Sequence, residues 1–335
     1  MKKAFLLIAI AVASLSAAAQ TQSAEQLKIT ARNFIKQGDY ANAILVLKRA
    51  LEQEPANSAL IKELAMSYYY NKDNPMAMET INKIVDKDDI DDQTIQVAGL
   101  IYSRNGNARE TEKLYRKALK KFPESGPIYN ELGEVLWAQK NYDAIKQWEK
   151  GIEVDPSYSR NYYNAAKFYY LSTDKVWSIL YSEIFINMDP NGSNTAEMKQ
   201  ILLDSYKKLF SNSDIEKGNT DKMPFVKSFL KEMNKQSATA AAGIHTESLA
   251  MIRARFILDW FANAENKQFN YRLFSMQQQL LRDGLFDAYN QWLFGSTQNL
   301  TAFQNWVNAN ANTYNEFLQI QKSRVFKMPK GVFYK

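Results

Sequence analysis

The sequence predicts an all-α protein, a helix-turn-helix solenoid of about five units that diverged helices continue toward the end of the chain. Glycine and proline are scarce, at 12 and 8 of 335 residues. Strand-like alternation of apolar and polar residues is hard to find, whereas apolar residues recur at helical spacing. A set of packing and turn residues also returns about every 34 residues through the first half of the chain, which indicates repeated helical pairs.

The stretch from Gly99 to Pro123 shows these landmarks most clearly. Two short helices flank a turn at residues 105–107, and Gly99 is the small residue that lets a neighbouring helix approach. Pro123 ends the second helix because proline cannot continue it. The second helix carries a stripe at spacing i, i+4 and i+7, formed by Thr111, Tyr115 and Ala118.

Equivalent residues recur in units near 24–57, 58–91, 92–125, 126–158 and 159–191. This pattern resembles the tetratricopeptide repeat, and the chain is identified as a member of that family, of the type exported by Bacteroidetes. The resemblance implies antiparallel helical pairs that are stable only when stacked. The fourth unit is one residue short before Ala144, which predicts a tighter turn there.

The regular spacing loosens after residue 192. We expect a solenoid over 20–192, a helical region of diverged pairs and a cap over 193–328, and a tail over 329–335. Aromatic residues at helical spacing predict one last helix that covers the open end of the stack, with a stripe of Phe303, Trp306, Tyr314 and Phe317.

The first 19 residues have the composition of a secretory signal peptide. Lys2 and Lys3 form a basic start, Phe5–Val12 an apolar core, and residues 17–19 a small-residue cleavage site. We therefore expect export, either to the periplasm of a Gram-negative bacterium or out of the cell. No second apolar run approaches the ~20 residues of a membrane span. The chain has no cysteine, so we expect no lipid anchor.

Composition argues against several kinds of chemistry. The 42 basic and 36 acidic residues are spread along the chain, with no dense basic block for nucleic acid. His245 is the only histidine, which favours a surface or capping role over a zinc ligand. The acidic run 88–92 lacks the spacing of a calcium loop and is expected to be a solvated turn. We predict no catalytic residue, metal or cofactor.

The family resemblance implies that a partner binds along the first helix of each unit. Carried over residue by residue, this face comprises Lys28, Arg32, Lys36, Lys62, Tyr69, Tyr70, Arg104, Asn130, Trp137, Tyr163, Lys167 and Tyr170. Basic and aromatic side chains dominate the set. Basic groups attract acidic segments at long range, and aromatic rings supply contact area that salt does not screen. We therefore expect an extended acidic peptide with one or two apolar anchors.

Some members of this family bind carboxyl-terminal peptides through a basic-and-asparagine clamp. Lys28 fits the first position of that clamp. Arg32 and Glu63, however, stand at positions where asparagine is expected. The sequence therefore departs from the clamp pattern at both positions.

The leading hypothesis is a non-catalytic scaffold for a protein partner in the cell envelope. An alternative is a glycan-binding protein related to outer-membrane nutrient uptake, similar to the starch-binding family of Bacteroidetes. Its sugars would stack on the aromatic rings of Trp137, Tyr163, Tyr170, Tyr69 and Tyr70. Those proteins are anchored through a cysteine that this chain lacks. A third alternative is an unfamiliar pocket among the aromatic helices of 246–323.

Overall fold

The structure is a computed structural model, and it describes residues 22–212, 214–217 and 221–335. These residues form helices, turns and loops without a strand, which confirms the all-α fold class. The predicted signal segment 1–19 lies outside the described residues. The chain divides into two compact units, one that ends at Leu114 and one over Tyr115–Lys335.

The first unit consists of consecutive helices that each pack on the next. They are α1 Ala24–Lys36, α2 Tyr40–Gln53, α3 Ser58–Tyr70, α4 Asn74–Asn82, α5 Asp92–Arg104 and the first half of α6 Ala108–Lys121. Side chains that accept backbone N–H groups define where α1, α3 and α5 begin, namely those of Ser23, Asn57 and Asp91. Each first helix of a pair therefore starts at a strong N-cap.

A left-handed residue allows each tight turn between paired helices in this unit. Gly38 has a φ of 75°, Lys72 of 64° and Gly106 of 74°. These residues are equivalent positions of successive pairs, and glycine adopts this conformation without the steric cost that lysine incurs. The second helices then fold back so that Ala43 and Ala77 are fully buried against the first helices.

The second unit continues the helical pairs and adds longer-range packing. After α6 come α7 Gly126–Ala138, α8 Ala144–Val154, α9 Ser159–Leu171, α10 Val176–Met188, α11 Thr195–Leu209, α12 Pro224–Asn234, α13 Ser237–Ala241, α14 Thr246–Ala262, α15 Glu265–Gln268, α16 Arg272–Arg282, α17 Phe286–Asn290, a π-helix Gln291–Gly295, α18 Ser296–Gln298, α19 Leu300–Ala309 and α20 Ala311–Ser323. Helix α10 is the centre of this unit, because every residue from Val176 to Asn187 is buried. Among the described residues, none of the helices is both long enough and apolar enough to cross a membrane.

The turn between α7 and α8 covers residues 139–143 and is tightly wound just before α8. Lys140 adopts a φ of 58°, and α8 is preceded by backbone hydrogen bonds that span three residues. One joins Ala144 N to Asn141 O at 3.2 Å, and the next joins Ile145 N to Tyr142 O at 3.3 Å. Bonds of this span wind the chain more tightly than an α-helix does.

One sequence expectation for the end of the chain needs correction. The predicted last helix is two helices, α19 and α20, because Asn310 leaves helical geometry and its side-chain Nδ2 donates to the carbonyl of Trp306 at 2.9 Å. In the predicted tail over 329–335, Tyr334 and Lys335 contact side chains of α9, α10 and α12.

A buried ion pair joins the central helix to the later helices of the second unit. Arg253 on α14 pairs with Glu183 on α10, and both are about 1% exposed. Gln277 and Tyr289 donate to the same carboxylate oxygen of Glu183, at 2.6 and 2.7 Å. A buried charge requires such partners, because an unpaired one costs several kcal/mol.

Gly133 is the point of closest approach between α7 and α8. An added Cβ there would lie 2.3 Å from Nε1 of Trp148. We expect Gly133→Ala to lower the free energy of unfolding by about 1–2 kcal/mol, because overpacking outweighs the gain in helix propensity. Urea denaturation measures this change. Lys146→Ala, at an exposed site on α8, is the matched control, and an equal loss in both variants would contradict the close contact.

Burial also changes the acidity of Glu149 on α8. Its Oε1 accepts a hydrogen bond from the hydroxyl of Tyr169 at 2.6 Å. Burial raises the pKa of Glu149 from 4.5 to about 7, although the Tyr169 hydrogen bond and the charge of Lys335 oppose the rise. The folded chain therefore holds a proton on this carboxyl that the unfolded chain releases near its ordinary pKa.

The raised pKa of Glu149 predicts a pH-dependent stability. Its contribution is fully present below about pH 4.5 and is lost as the pH rises through about 7. Between pH 5 and pH 8 we expect Glu149→Gln to lose less stability than the wild type, by up to about 3 kcal/mol. Urea denaturation at both pH values tests this expectation. Glu153→Gln, on the exposed side of the same helix, should retain the wild-type dependence.

Candidate functional site

In the first unit, three of the predicted basic residues have carboxylate partners. Arg32 on α1 donates to Glu63 on α3, with its Nε 2.9 Å from Oε1. Lys62 on α3 donates to Asp91 at 3.0 Å, and Lys28 pairs with Glu25 at 3.1 Å. The face that the sequence predicts to be basic therefore contains ion pairs, both within one first helix and between neighbouring first helices.

These pairs change the electrostatics of the predicted basic face. Hydrogen bonding to Glu63 raises the pKa of Arg32. Burial raises the pKa of Asp91, but hydrogen bonds from Thr94 and Lys62 outweigh burial and lower its pKa overall. Arg32 and Asp91 are therefore charged near neutral pH. The two clamp positions that departed from the family pattern, Arg32 and Glu63, are partners of each other.

Three other residues on the same helices include two basic side chains that a ligand can reach. Lys36, Tyr70 and Arg104 are the last residues of α1, α3 and α5, each one repeat from the next. Among the described residues, Lys36 and Arg104 have no carboxylate within ion-pair distance. Tyr70 is 46% exposed, and it stacks on Tyr40 with ring centroids 5.1 Å apart. We call Lys36, Tyr70 and Arg104 the cationic row.

Tyr69 supports the cationic row from within α3. Its ring meets the ring of Tyr70 edge to face, with centroids 5.4 Å apart. Tyr69 is half-buried, whereas Tyr70 is exposed. Tyr40 and Tyr69 therefore hold the Tyr70 ring from two sides and leave part of it open to solvent.

In the second unit, the structure corrects the prediction for Asn130. The residue is fully buried on α7. Its amide Nδ2 donates to Glu134 at 3.0 Å, and its Oδ1 accepts from Asn164 at 2.9 Å. Asn130 is thus a packing residue whose hydrogen-bonding groups are used inside the protein.

Tyr163, Lys167 and Glu197 form a hydrogen-bonded triad between α9 and α11. Lys167 Nζ donates to Glu197 at 2.8 Å and to the Tyr163 hydroxyl at 3.0 Å, while that hydroxyl donates to Glu197 at 2.6 Å. These hydrogen bonds lower the pKa of Glu197. Burial lowers the pKa of Lys167, but its hydrogen bonds to Glu197 and Tyr163 outweigh burial and raise it. The triad contains one ion pair, between Lys167 and Glu197, and its net charge is therefore zero.

Trp137 belongs to an exposed aromatic cluster with Tyr142 and Phe168. Its ring centroid lies 5.9 Å from that of Tyr142 and 5.8 Å from that of Phe168, both edge to face. Trp137 is 37% exposed and Tyr142 67%. Tyr170 lies outside this cluster, and Lys208 covers its ring with Nζ 3.7 Å from the centroid.

Sequence reasoning did not identify the residues that pair with the predicted basic side chains or pack on the predicted aromatic rings. They are the carboxylates Glu63, Asp91 and Glu197 and the aromatic residues Tyr40, Tyr142 and Phe168. A signal for the carboxylates exists, because they follow their basic partners by 31, 29 and 30 residues. That separation is about one repeat less one helical turn, which brings the two side chains together on neighbouring first helices.

The described residues show no arrangement for metal chemistry. No group of three or more His, Cys, Asp or Glu that could hold an ion is found among them. His245 is the N-cap of α14 and accepts a hydrogen bond from Ser248 N, which confirms the expected capping role. Asp91 within the acidic run is the N-cap of α5.

Comparison with known families identifies the repeats. Residues 34–95 and 97–150 each match a family model of the tetratricopeptide repeat. The part of the chain that these matches cover is therefore built from tetratricopeptide repeats. Proteins built from this repeat bind protein or peptide partners and are typically non-catalytic scaffolds. None of the curated proteins matches the sequence.

Several solved structures are similar to the chain. PilF from Pseudomonas aeruginosa is 18% identical, with 57% of this chain and 86% of that chain covered and a TM-score of 0.48. A tetratricopeptide repeat protein from Parabacteroides merdae is 18% identical, with 76% and 97% covered and a TM-score of 0.45. YrrB, described as having an unusual peptide-binding site, is 14% identical, with 54% and 94% covered and a TM-score of 0.39.

Proposed function

We propose that this protein is an exported, non-catalytic scaffold that binds an extended acidic segment of a protein partner in the cell envelope. The cationic row is the observation that carries the proposal. It places two basic side chains on either side of an exposed aromatic ring, on the helices that line the groove in this family. The composition of residues 1–19 supports export, because it matches a secretory signal.

The basic residues of the cationic row differ from the other basic residues of this face in whether a carboxylate already pairs with them. A ligand carboxylate that approaches Arg32 or Lys62 must displace Glu63 or Asp91, so little energy is gained. Among the described residues, no carboxylate has to be displaced before a ligand carboxylate reaches Lys36 or Arg104. They attract an acidic segment at long range and accelerate its association.

The aromatic ring of the row supplies the contact that fixes the ligand. Tyr70 is held by Tyr40 and Tyr69, so that little side-chain entropy is lost when an apolar anchor packs on it. In the second unit we assign the same role to the cluster of Trp137, Tyr142 and Phe168, and a smaller, hydrogen-bonding role to Tyr163 and Lys167. Tyr170 contributes through its edge, because Lys208 covers the ring.

Charge reversal of the row tests the electrostatic part. We expect Lys36→Glu/Arg104→Glu to slow the association of acidic, aromatic-containing peptides about tenfold at low salt and to flatten the salt dependence. Surface plasmon resonance with the full chain and a library of such peptides measures both effects. Arg49→Glu/Lys113→Glu is the matched control, since it makes the same charge change on exposed parts of second helices. Equal effects in both double variants would remove the row as the site.

Truncation of Tyr70 tests the anchor. We expect Tyr70→Ala to raise the dissociation rate and weaken binding about tenfold, or by about 1.4 kcal/mol, because the exposed ring provides the apolar contact. Tyr70→Phe keeps the ring and its stacking and should bind as the wild type does. Circular dichroism verifies that both variants are folded. Wild-type affinity in Tyr70→Ala would place the anchor elsewhere.

Glycan binding is the competing outcome of the same study. The Trp137 cluster packs edge to face, at interplanar angles of 65° and 66°, whereas sugars stack on open ring faces. A glycan array probed with the full chain and with Trp137→Ala distinguishes the two functions. Glycan binding that depends on Trp137, together with no peptide binding, would contradict the scaffold proposal.

A further inference from the structure

The last residues of the chain fill a recess of the second unit. The ring of Tyr334 stacks on Phe225 with centroids 5.0 Å apart, and it meets Phe269 edge to face at 5.3 Å. Its hydroxyl donates to the carbonyl of Asn270 at 3.4 Å. Phe225 and Phe269 are themselves buried, so Tyr334 completes an aromatic cluster that the helices leave open on one side.

Lys335 occupies a neighbouring pocket that is both acidic and aromatic. Its Nζ lies 2.6 Å from Oδ2 of Asp221. It also lies 5.1 Å from the ring centroid of Tyr169 and 5.5 Å from that of Trp177. Trp177 Nε1 donates to the same oxygen of Asp221 at 2.9 Å, which fixes the carboxylate in place. A primary ammonium between a carboxylate and two ring faces is strongly held when water is excluded.

A second carboxylate lies beside Asp221 in this pocket. Asp174 is 7% exposed and forms a side-chain hydrogen bond with Asp221. Burial raises the pKa of Asp174 to about 6, although the charge of Lys335 opposes the rise. Glu149 accepts a hydrogen bond from the hydroxyl of Tyr169. The nearby Lys175 donates to the backbone carbonyl of Tyr170 at 2.9 Å and interacts with the charge of Asp174. The carboxylates around Lys335 favour a cation in this pocket.

Side chains rather than a backbone ladder hold the segment. Among the described residues, no backbone–backbone hydrogen bond joins 325–335 to another part of the chain. Phe326 and Met328 are buried, whereas 329–331 are exposed and 332–335 are half-buried. A segment with few buried contacts and no backbone pairing opens locally at a small fraction of the cost of global unfolding. Opening exposes the pocket with the rest of the unit intact.

We propose that Tyr169, Trp177, Asp174 and Asp221 form a binding site for a lysine side chain, which Lys335 fills here and which a partner polypeptide can fill when the segment opens. The neighbouring recess of Phe225 and Phe269 selects an aromatic residue directly before that lysine. The ligand is thus an extended segment with an aromatic-lysine pair. Its charge is opposite to that of the ligand proposed for the cationic row.

The test removes the occupant and supplies it again as a peptide. The acceptor is the chain shortened by residues 332–335, and the probe is the amidated peptide Gly-Val-Phe-Tyr-Lys, which has the sequence of 331–335. Isothermal titration calorimetry should show binding at least tenfold tighter to the shortened chain than to the wild type. The matched peptide Gly-Val-Phe-Tyr-Met should bind at least tenfold more weakly, and Asp221→Asn in the shortened chain should abolish the preference for lysine.

Two results would overturn the proposal. A folded shortened chain that binds neither peptide, or that binds both equally, would show that Lys335 only anchors the segment. If the shortened chain does not fold, as judged by circular dichroism, the full chain with Lys335→Met takes its place. Methionine is also an unbranched side chain, but it lacks the ammonium. The proposal would be overturned equally if this variant bound the lysine peptide no more tightly than the wild type does.

Discussion

The close approach of paired helices at one small residue is the contact on which the rest of each unit depends. Ala31, Ala65 and Ala166 are fully buried, and Gly133 leaves no room for a Cβ beside Trp148. Small residues let the backbones approach, so large side chains on the second helix can fill the space beside them. This packing fixes the rotation of each first helix and therefore decides which of its residues face solvent as the candidate surface.

Much of this architecture could be predicted because its signals are local. A small residue, a turn glycine and a helix-ending proline each act within a few residues of their own position. The turns show the limit of that argument, since Lys72 and Lys140 take the left-handed conformation that Gly38 and Gly106 take. A lysine there costs roughly 1 kcal/mol, and the surrounding pair of helices imposes it. Residue type gives no signal for this conformation at those two positions.

The candidate surface was harder to predict because its chemistry depends on contacts between repeats. Counting charges along first helices shows Arg32 and Lys62 as cations, but their partners Glu63 and Asp91 are about a repeat away. Asn130 illustrates the same difficulty, since its position in the repeat predicts exposure while its neighbours bury it. The position of Lys335 likewise arises from a contact over 114 residues that no local pattern encodes.

The pairing of charges explains how one chain can present surfaces of opposite preference. An exposed ion pair contributes roughly 0–1 kcal/mol, so the paired residues of the first unit neither attract nor repel a ligand strongly. Among the described residues of that surface, Lys36 and Arg104 keep charges without an ion-pair partner. In the second unit, Asp174 and Asp221 lie beside Lys335 within a largely buried aromatic setting, where their carboxylates favour a cation. The net charge of the chain therefore says little about its ligands, and the local balance at each surface decides which segment it selects.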